Sequence, residues 1–216
     1  CVFEPKPYNH GYMKYIDLTH TFTDSMPVYP GDPLPSLSQI AEISKDGYTD
    51  FQITTGMHVG THMDAPLHMV EGGDYLNEVD ISRFFARGHV IDARHKEINS
   101  DLLEGVDIKK GDAILVLTGF AKYFTNPLYY EKYPELSEGF AEKAVALGVS
   151  IVGMDIPSPD RSPYRVHKIL LGNNILIIEN LCNLEELVGV ASFEIIALPA
   201  KFHSEAAPVR VIAKIV

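Results

Sequence analysis

The sequence predicts a single domain of mixed α/β (α+β) class, a mixed, barrel-like sheet with a few flanking helices. Three observations carry this. Probable strands outnumber helices, and they come in runs instead of a steady strand–helix alternation. The length, 216 residues, suits one domain with a substantial core. A hydrophobic content of 46% and a mean hydropathy of +0.01 fit a soluble globular chain.

Residues 1–12 read as an extension, with Met13 as the original start and residues 13–216 as the domain. Tyr15 to His20 alternates and reads as an opening strand. Met26 to Pro33 is too rich in proline for regular structure and reads as a rigid loop. Leu37 to Ile43 and Phe51 to Thr55 are expected to pair through the turn signal Lys45-Asp46-Gly47. Asp80 to Phe85 suits a short helix ended by Gly88, followed by a strand from His89 to Ala93 and a helical turn from Ser100 to Leu103. Ala113 to Thr118 is an apolar run of buried-strand type. Tyr123 to Tyr133 is an aromatic loop with four tyrosines, which either packs or lines a pocket. Ser137 caps a helix to Leu147 that Gly148 closes. Then follow a strand from Ser150 to Met154, a proline-broken loop from Asp155 to Pro163 and a helix from Tyr164 to Leu171. A buried strand from Ile175 to Ile178 comes next, then a helix start with a capping-box arrangement at Asn183 to Glu186. Phe193 to Leu198 and Val209 to Ile215 close the chain as strands.

Composition excludes several functions. A net charge of −11 argues against nucleic acid as a partner. No apolar run approaches the roughly 20 residues that span a bilayer, and the start lacks the basic-then-apolar form of a signal peptide. Two cysteines, Cys1 and Cys182, make no disulfide framework, so a reducing, cytoplasmic setting is expected.

The chemistry concentrates between His58 and His68. His58, His62, Asp64 and His68 fall within eleven residues, broken by Gly60 and Pro66. Imidazole and carboxylate together suit zinc, manganese or iron. Val59 stands where a zinc-protease helix needs Glu, and Gly60 argues against a helix, so the four residues are placed on an irregular loop after the Phe51 strand. A polar loop whose histidines only bond the backbone is the alternative. Four potential ligands in one broken turn favour metal, since protonated imidazoles are poor neighbours. Farther on, Glu179 interrupts a buried apolar run, where a lone carboxylate is costly without a cation. With His167 it is the natural completion of the ligand set. No Gly-x-Ser-x-Gly elbow is present, and Cys182 has no partner motif for nucleophilic catalysis.

His-x-Gly-Thr-His-x-Asp-Ala-Pro-x-His resembles the signature of the cyclase family of metal-dependent hydrolases, which includes bacterial kynurenine formamidases and isatin hydrolases. The resemblance runs from about Tyr15 to the C-terminus. It implies a swivelling β/β/α fold and hydrolysis of a carbon–nitrogen amide bond in a small molecule. By resemblance, His58, His62 and Asp64 hold one zinc ion, and Asp64 and Glu179 bridge to a second that also binds His167. A single manganese is the alternative, as in isatin hydrolases, where Gln replaces Glu179. His68 matches the family's general acid/base, which passes a proton to the leaving amine. Tyr29 stands where kynurenine formamidases carry a substrate-contacting tryptophan, and this chain has no tryptophan. Leu117, Phe120 and His203-Ser204-Glu205 also depart from the family pattern. A homodimer or homotetramer is implied. The rivals are a hydrolase of a cyclic amide such as isatin and a non-catalytic metal-binding protein on the same fold. His10, His20, His89, His95 and His203 are read as structural or surface residues.

Overall fold

The structure, a computed structural model, describes residues 14–216, so the expected extension lies outside the described residues. Its strands and α-helices follow as β1 (Tyr15–Asp17), β2 (Ser36–Ala41), α1 (Ile43–Asp46), β3 (Asp50–Thr54) and β4 (His62–Asp64). Then come β5 (Phe85–Asp92), β6 (Ala113–Leu117), α2 (Glu138–Leu147), β7 (Ile151–Met154) and α3 (Arg165–Gly172). β8 (Leu176–Glu179), β9 (Phe193–Pro199) and β10 (Ala206–Ile215) complete the chain, with 3-10 turns in the connections.

Seven strands close on themselves in the order β10-β4-β8-β7-β6-β5-β9, with β9 returning to β10 and β1 added beside β10. β10 makes closure possible because it changes partner along its length. Ala206 to Pro208 pair with β4, and Val209 to Ile215 pair with β9. β5 to β8 run parallel, and the other pairings of the ring are antiparallel. This is the mixed, barrel-like sheet that the sequence predicts.

Two-residue alternation divides the apolar runs between two cores. Ala113, Leu115 and Leu117 face the barrel interior with Ile151, Ile178, Ile195 and Val211. Ile114, Val116, Val152 and Ile177 face outward, under Phe140 and Ala144 of α2 and Leu170 of α3. Both faces are covered, which is why β6 and β8 read as continuous apolar runs. α2 begins where expected: Ser137 Oγ accepts the Phe140 N–H at 3.1 Å, and Gly148 closes the helix in the left-handed conformation.

Several expectations change. The segment from Asp80 ends as a 3-10 turn (Ile81–Phe84), and Gly88 lies inside β5 instead of ending a helix. The ring of Phe193 on β9 occupies that space, 2.0 Å from where a side-chain carbon at Gly88 would sit. Asn183 makes no capping box. Its backbone is left-handed, and its side chain donates to the Asp17 carbonyl at 2.8 Å, so only a short 3-10 turn follows. The opening strand stops at Asp17, with Thr19 bridged singly to Leu181. β2 and β3 pair as expected but stand outside the barrel as a separate two-stranded arm. Among the described residues, no helix is long and apolar enough to cross a membrane.

Candidate metal centre

Strand alternation decides which side chains meet. Met63 faces the barrel interior, so its neighbours His62 and Asp64 face the other way. On β8, Ile178 points inward and Glu179 outward, and the antiparallel register sets Glu179 directly opposite His62. α3 connects β7 to β8 and packs over this outer face, with His167 on its buried side. His58 lies in the turn before β4, and His68 ends the 3-10 turn Pro66–His68 after it. The expected irregular loop is therefore half strand, because β8 and β10 clamp His62 to Asp64 from both sides.

The loop is fastened to the end of β8. Thr61 Oγ1 donates to the Asn180 carbonyl at 2.6 Å, and Asn180 Nδ2 donates to the Gly60 carbonyl at 3.0 Å. Gly60 has φ +70°, a conformation that favours glycine, and a side-chain carbon there would lie 2.7 Å from Met26 Cε, so the Met26 side chain would have to shift.

Two of the three expected histidine ligands, His62 and His167, hydrogen-bond an acceptor on their outer side. His62 Nδ1 donates to the Gly60 carbonyl at 2.9 Å, and His167 Nδ1 donates to Asp160 Oδ1 at 2.5 Å. His58 Nε2 lies 3.4 Å from Glu205 Oε1. The remaining nitrogens turn inward. His62 Nε2 stands 3.2 Å from Glu179 Oε2 and 3.5 Å from Asp64 Oδ1. His58 Nδ1 lies 3.1 Å from Asp64 Oδ1, and His167 Nε2 lies 3.3 Å from Glu179 Oε1. Protonation at the outer nitrogen leaves a lone pair on the inner one, the form that binds a metal.

Among the described residues, His62 Nε2 and both Asp64 oxygens are buried with no hydrogen-bond partner. Three such atoms at one point would be costly unless a cation completes them. The donor set, imidazole nitrogens with two carboxylates, fits a divalent metal ion. Among the described residues, two groups of potential ligand atoms fall within 4.8 Å: His62, Asp64 and Glu179, and His58, Asp64 and His68. The second includes His68, one of the four potential ligands of the motif, which the family resemblance places outside the ligand set.

The electrostatics agree. Burial opposes charge on Asp64, but His62 and His58 outweigh it and hold the carboxyl below its usual range. Burial likewise opposes protonation of His58, yet Asp64 raises it to about 9. His167 rises to about 10 against burial, through Asp160 and Glu179. The buried carboxylates demand positive charge, from these protons or from a metal in their place. His68 differs. Burial lowers it, with Asp64 opposing, which favours the neutral ring that can take a proton.

A cavity of about 310 Å³ opens beside the cluster, and its lining includes His58, His68, His167 and Glu179 together with Tyr29, Tyr130 and Tyr164. The aromatic loop thus does both things expected of it: Tyr129 and Tyr133 are buried, and Tyr130 lines the cavity. Asp160, Asn180 and Glu205 escape sequence reasoning. Asp160 sits in a proline-broken loop without periodicity, and Asn180 and Glu205 meet the motif only through the fold.

The family model described as "Putative cyclase" matches residues 16–161. The chain belongs to the cyclase family. An uncharacterized protein of Methanocaldococcus jannaschii is 36% identical, over 93% of this chain and 99% of its own length. The kynurenine formamidase of Geobacillus thermodenitrificans is 27% identical, over 91% of this chain and 95% of that protein. Among solved structures, a predicted metal-dependent hydrolase from Bacillus stearothermophilus superposes with a TM-score of 0.78 at 28% identity, covering 95% of this chain and all of that one.

Proposed function

We propose that this cyclase-family chain is a divalent-metal-dependent hydrolase of an amide carbon–nitrogen bond, with an aryl formamide as its substrate type. One observation carries the reading. His68 stands at the boundary between the carboxylate–imidazole cluster and the tyrosine-lined cavity, its ring 4.3 Å from that of His58 and 5.7 Å from that of His167. The similarity to a kynurenine formamidase over nearly the whole chain supports the substrate type.

In this reading His58, His62, Asp64, His167 and Glu179 hold one or two ions, zinc first and manganese as the alternative. A bound ion of this kind supplies Lewis acidity to a carbonyl and lowers the pKa of a water toward about 7. Tyr29, with its neighbours Tyr130 and Tyr164, receives the aryl ring. His68 takes a proton from the attacking water and returns it to the leaving nitrogen. The carbon–nitrogen bond breaks, and formate and an arylamine result.

We further infer a homo-oligomer at work in the cytoplasm. The arm supports the first part: Ile40, Phe51 and Ile53 are 57%, 53% and 54% exposed on it. The second is supported by the cysteine content, two in the chain, with Cys182 unpaired.

The deciding experiment is turnover of aryl formamides, cyclic amides and lactones by zinc- and manganese-loaded protein. Aryl formamides are expected to lead. A cyclic amide such as isatin as the best substrate would replace the formamide, and no turnover at all would leave a metal-binding protein.

A further inference from the structure

Apart from the histidines and Glu179, the described residues that line the cavity, its outer wall, are three tyrosines, Met69, Pro157, Ser158, Asn180 and one acidic side chain, Asp32. Among the described residues, no lysine or arginine lines it. Three basic side chains close in sequence to the lining residues already have partners. Arg161 lies over the Tyr133 ring at 3.8 Å and pairs with Glu135, Arg165 pairs with Glu138 at 3.0 Å, and Lys168 donates to the Pro163 carbonyl at 2.9 Å.

Asp32 is held beside the tyrosines by its own backbone. Its N–H donates to the Tyr29 carbonyl at 3.0 Å across the turn Tyr29-Pro30-Gly31-Asp32, with Gly31 at φ +103°. The Tyr29 ring meets Tyr130 edge to face at 5.7 Å, and the Tyr130 hydroxyl donates to the Pro27 carbonyl at 3.1 Å. Burial, then Glu179 and Asp32, push the Tyr130 phenol up, which agrees with a carboxylate close to that ring. Aromatic faces beside one carboxylate attract an organic cation. Among the described lining residues no lysine or arginine matches an anion's charge, so its desolvation is less well repaid.

We propose that this outer wall receives the cationic end of the substrate, an aryl formamide whose ring carries an ammonium-bearing arm and no carboxylate. The proposal rests on the formamidase reading for the reacting bond. It adds the chemistry of the arm, whose ammonium pairs with Asp32 beside the tyrosines that receive the aryl ring.

The test uses three formanilides that differ only in the para arm: trimethylammoniomethyl, hydroxymethyl and carboxymethyl. With metal-loaded protein, kcat/KM for the cation is expected to exceed that of the neutral compound by about tenfold, with the anion slowest. Asp32→Asn is expected to bring the cation-to-neutral ratio down to about twofold or less, mainly through KM. Equal rates for cation and neutral compound, or a faster anion, overturn the proposal. Failure of the formamidase reading looks different, because no compound turns over. Binding of benzyltrimethylammonium, followed by calorimetry on the metal-loaded protein, then decides the outer wall by itself. Binding that Asp32→Asn weakens about tenfold sustains the cation site. No binding, or binding that the substitution leaves unchanged, removes it.

Discussion

The Asp160 carboxylate takes the Nδ1 proton of His167 at 2.5 Å through one oxygen and the N–H of Val166 at 2.7 Å through the other. One buried side chain thus sets both the ring tautomer and the first turn of α3. Asn at this position has a single acceptor oxygen and cannot serve both donors. If its amide donates to Nδ1, the ring proton moves to Nε2, the nitrogen that faces Glu179. Asp160→Asn is therefore expected to weaken metal binding by about 10–100-fold with the fold intact. Metal titration with a competing chelator, beside the ¹⁵N shifts of His167, checks this. Unchanged affinity would make Asp160 a helix-capping residue and no more.

What can be read from the sequence, and what cannot, divides along the range of the interaction. Alternation is local, so β6, β8 and the buried position of Glu179 are legible in the apolar runs. The His58–His68 motif is local too, and its residue types are enough to point to a metal. The strand at His62–Asp64 is hidden, because its hydrogen-bonding partners on β8 and β10 lie more than a hundred residues away and Gly60 and Pro66 read as a loop. Gly88 misleads for the same reason. A lone glycine signals a stop until Phe193 is known to cover it. Asp160 is illegible differently: nothing in Pro157-Ser158-Pro159-Asp160 says which side chain turns inward.

The β2–β3 arm carries the oligomer prediction. Phe51 and Ile53 stand one step of alternation apart on β3 and are both more than half exposed. Light scattering is expected to give a mass at least twice the 24.0 kDa of one chain. The double change Phe51→Asp, Ile53→Asp is expected to reduce it to the monomer. A monomeric wild-type protein would end the oligomer reading, and an oligomer that survives both changes would place the interface elsewhere.

His20 ties stability to pH. Its ring stacks on Phe124 at 3.8 Å, Nε2 has no hydrogen-bond partner among the described residues, and burial pushes its pKa down from 6.5 to about 4. The unfolded chain therefore binds more protons than the folded one between those values. The stabilisation tied to the neutral ring is complete above pH 6.5 and is lost as pH falls toward 4. At the lower end the loss is at most about 3 kcal/mol. His20→Phe keeps a stacking ring and removes the titration. Urea unfolding at about pH 7 and about pH 4.5 is expected to show a smaller acid loss in the variant. Parallel losses in both proteins would show that the ring titrates normally.

His68 separates catalysis from metal binding. Its ring sits with His58 and Asp64 in one of the two groups able to hold an ion, so proximity alone does not distinguish a ligand from a proton carrier. The two roles fail differently. His62→Ala removes an inward nitrogen that faces both Asp64 and Glu179, and metal affinity is expected to fall. His68→Ala is expected to keep metal content and fold, since His58, His62, Asp64, His167 and Glu179 remain. Turnover of an aryl formamide is nevertheless expected to fall by about two to four orders of magnitude, the usual worth of a positioned general acid/base. The loss is expected to shrink for arylamines that leave easily, because they need less protonation on departure. Metal stoichiometry and rate are therefore measured on the same His68→Ala sample. A variant that loses its metal makes His68 a ligand, and one that keeps full activity removes it from the mechanism.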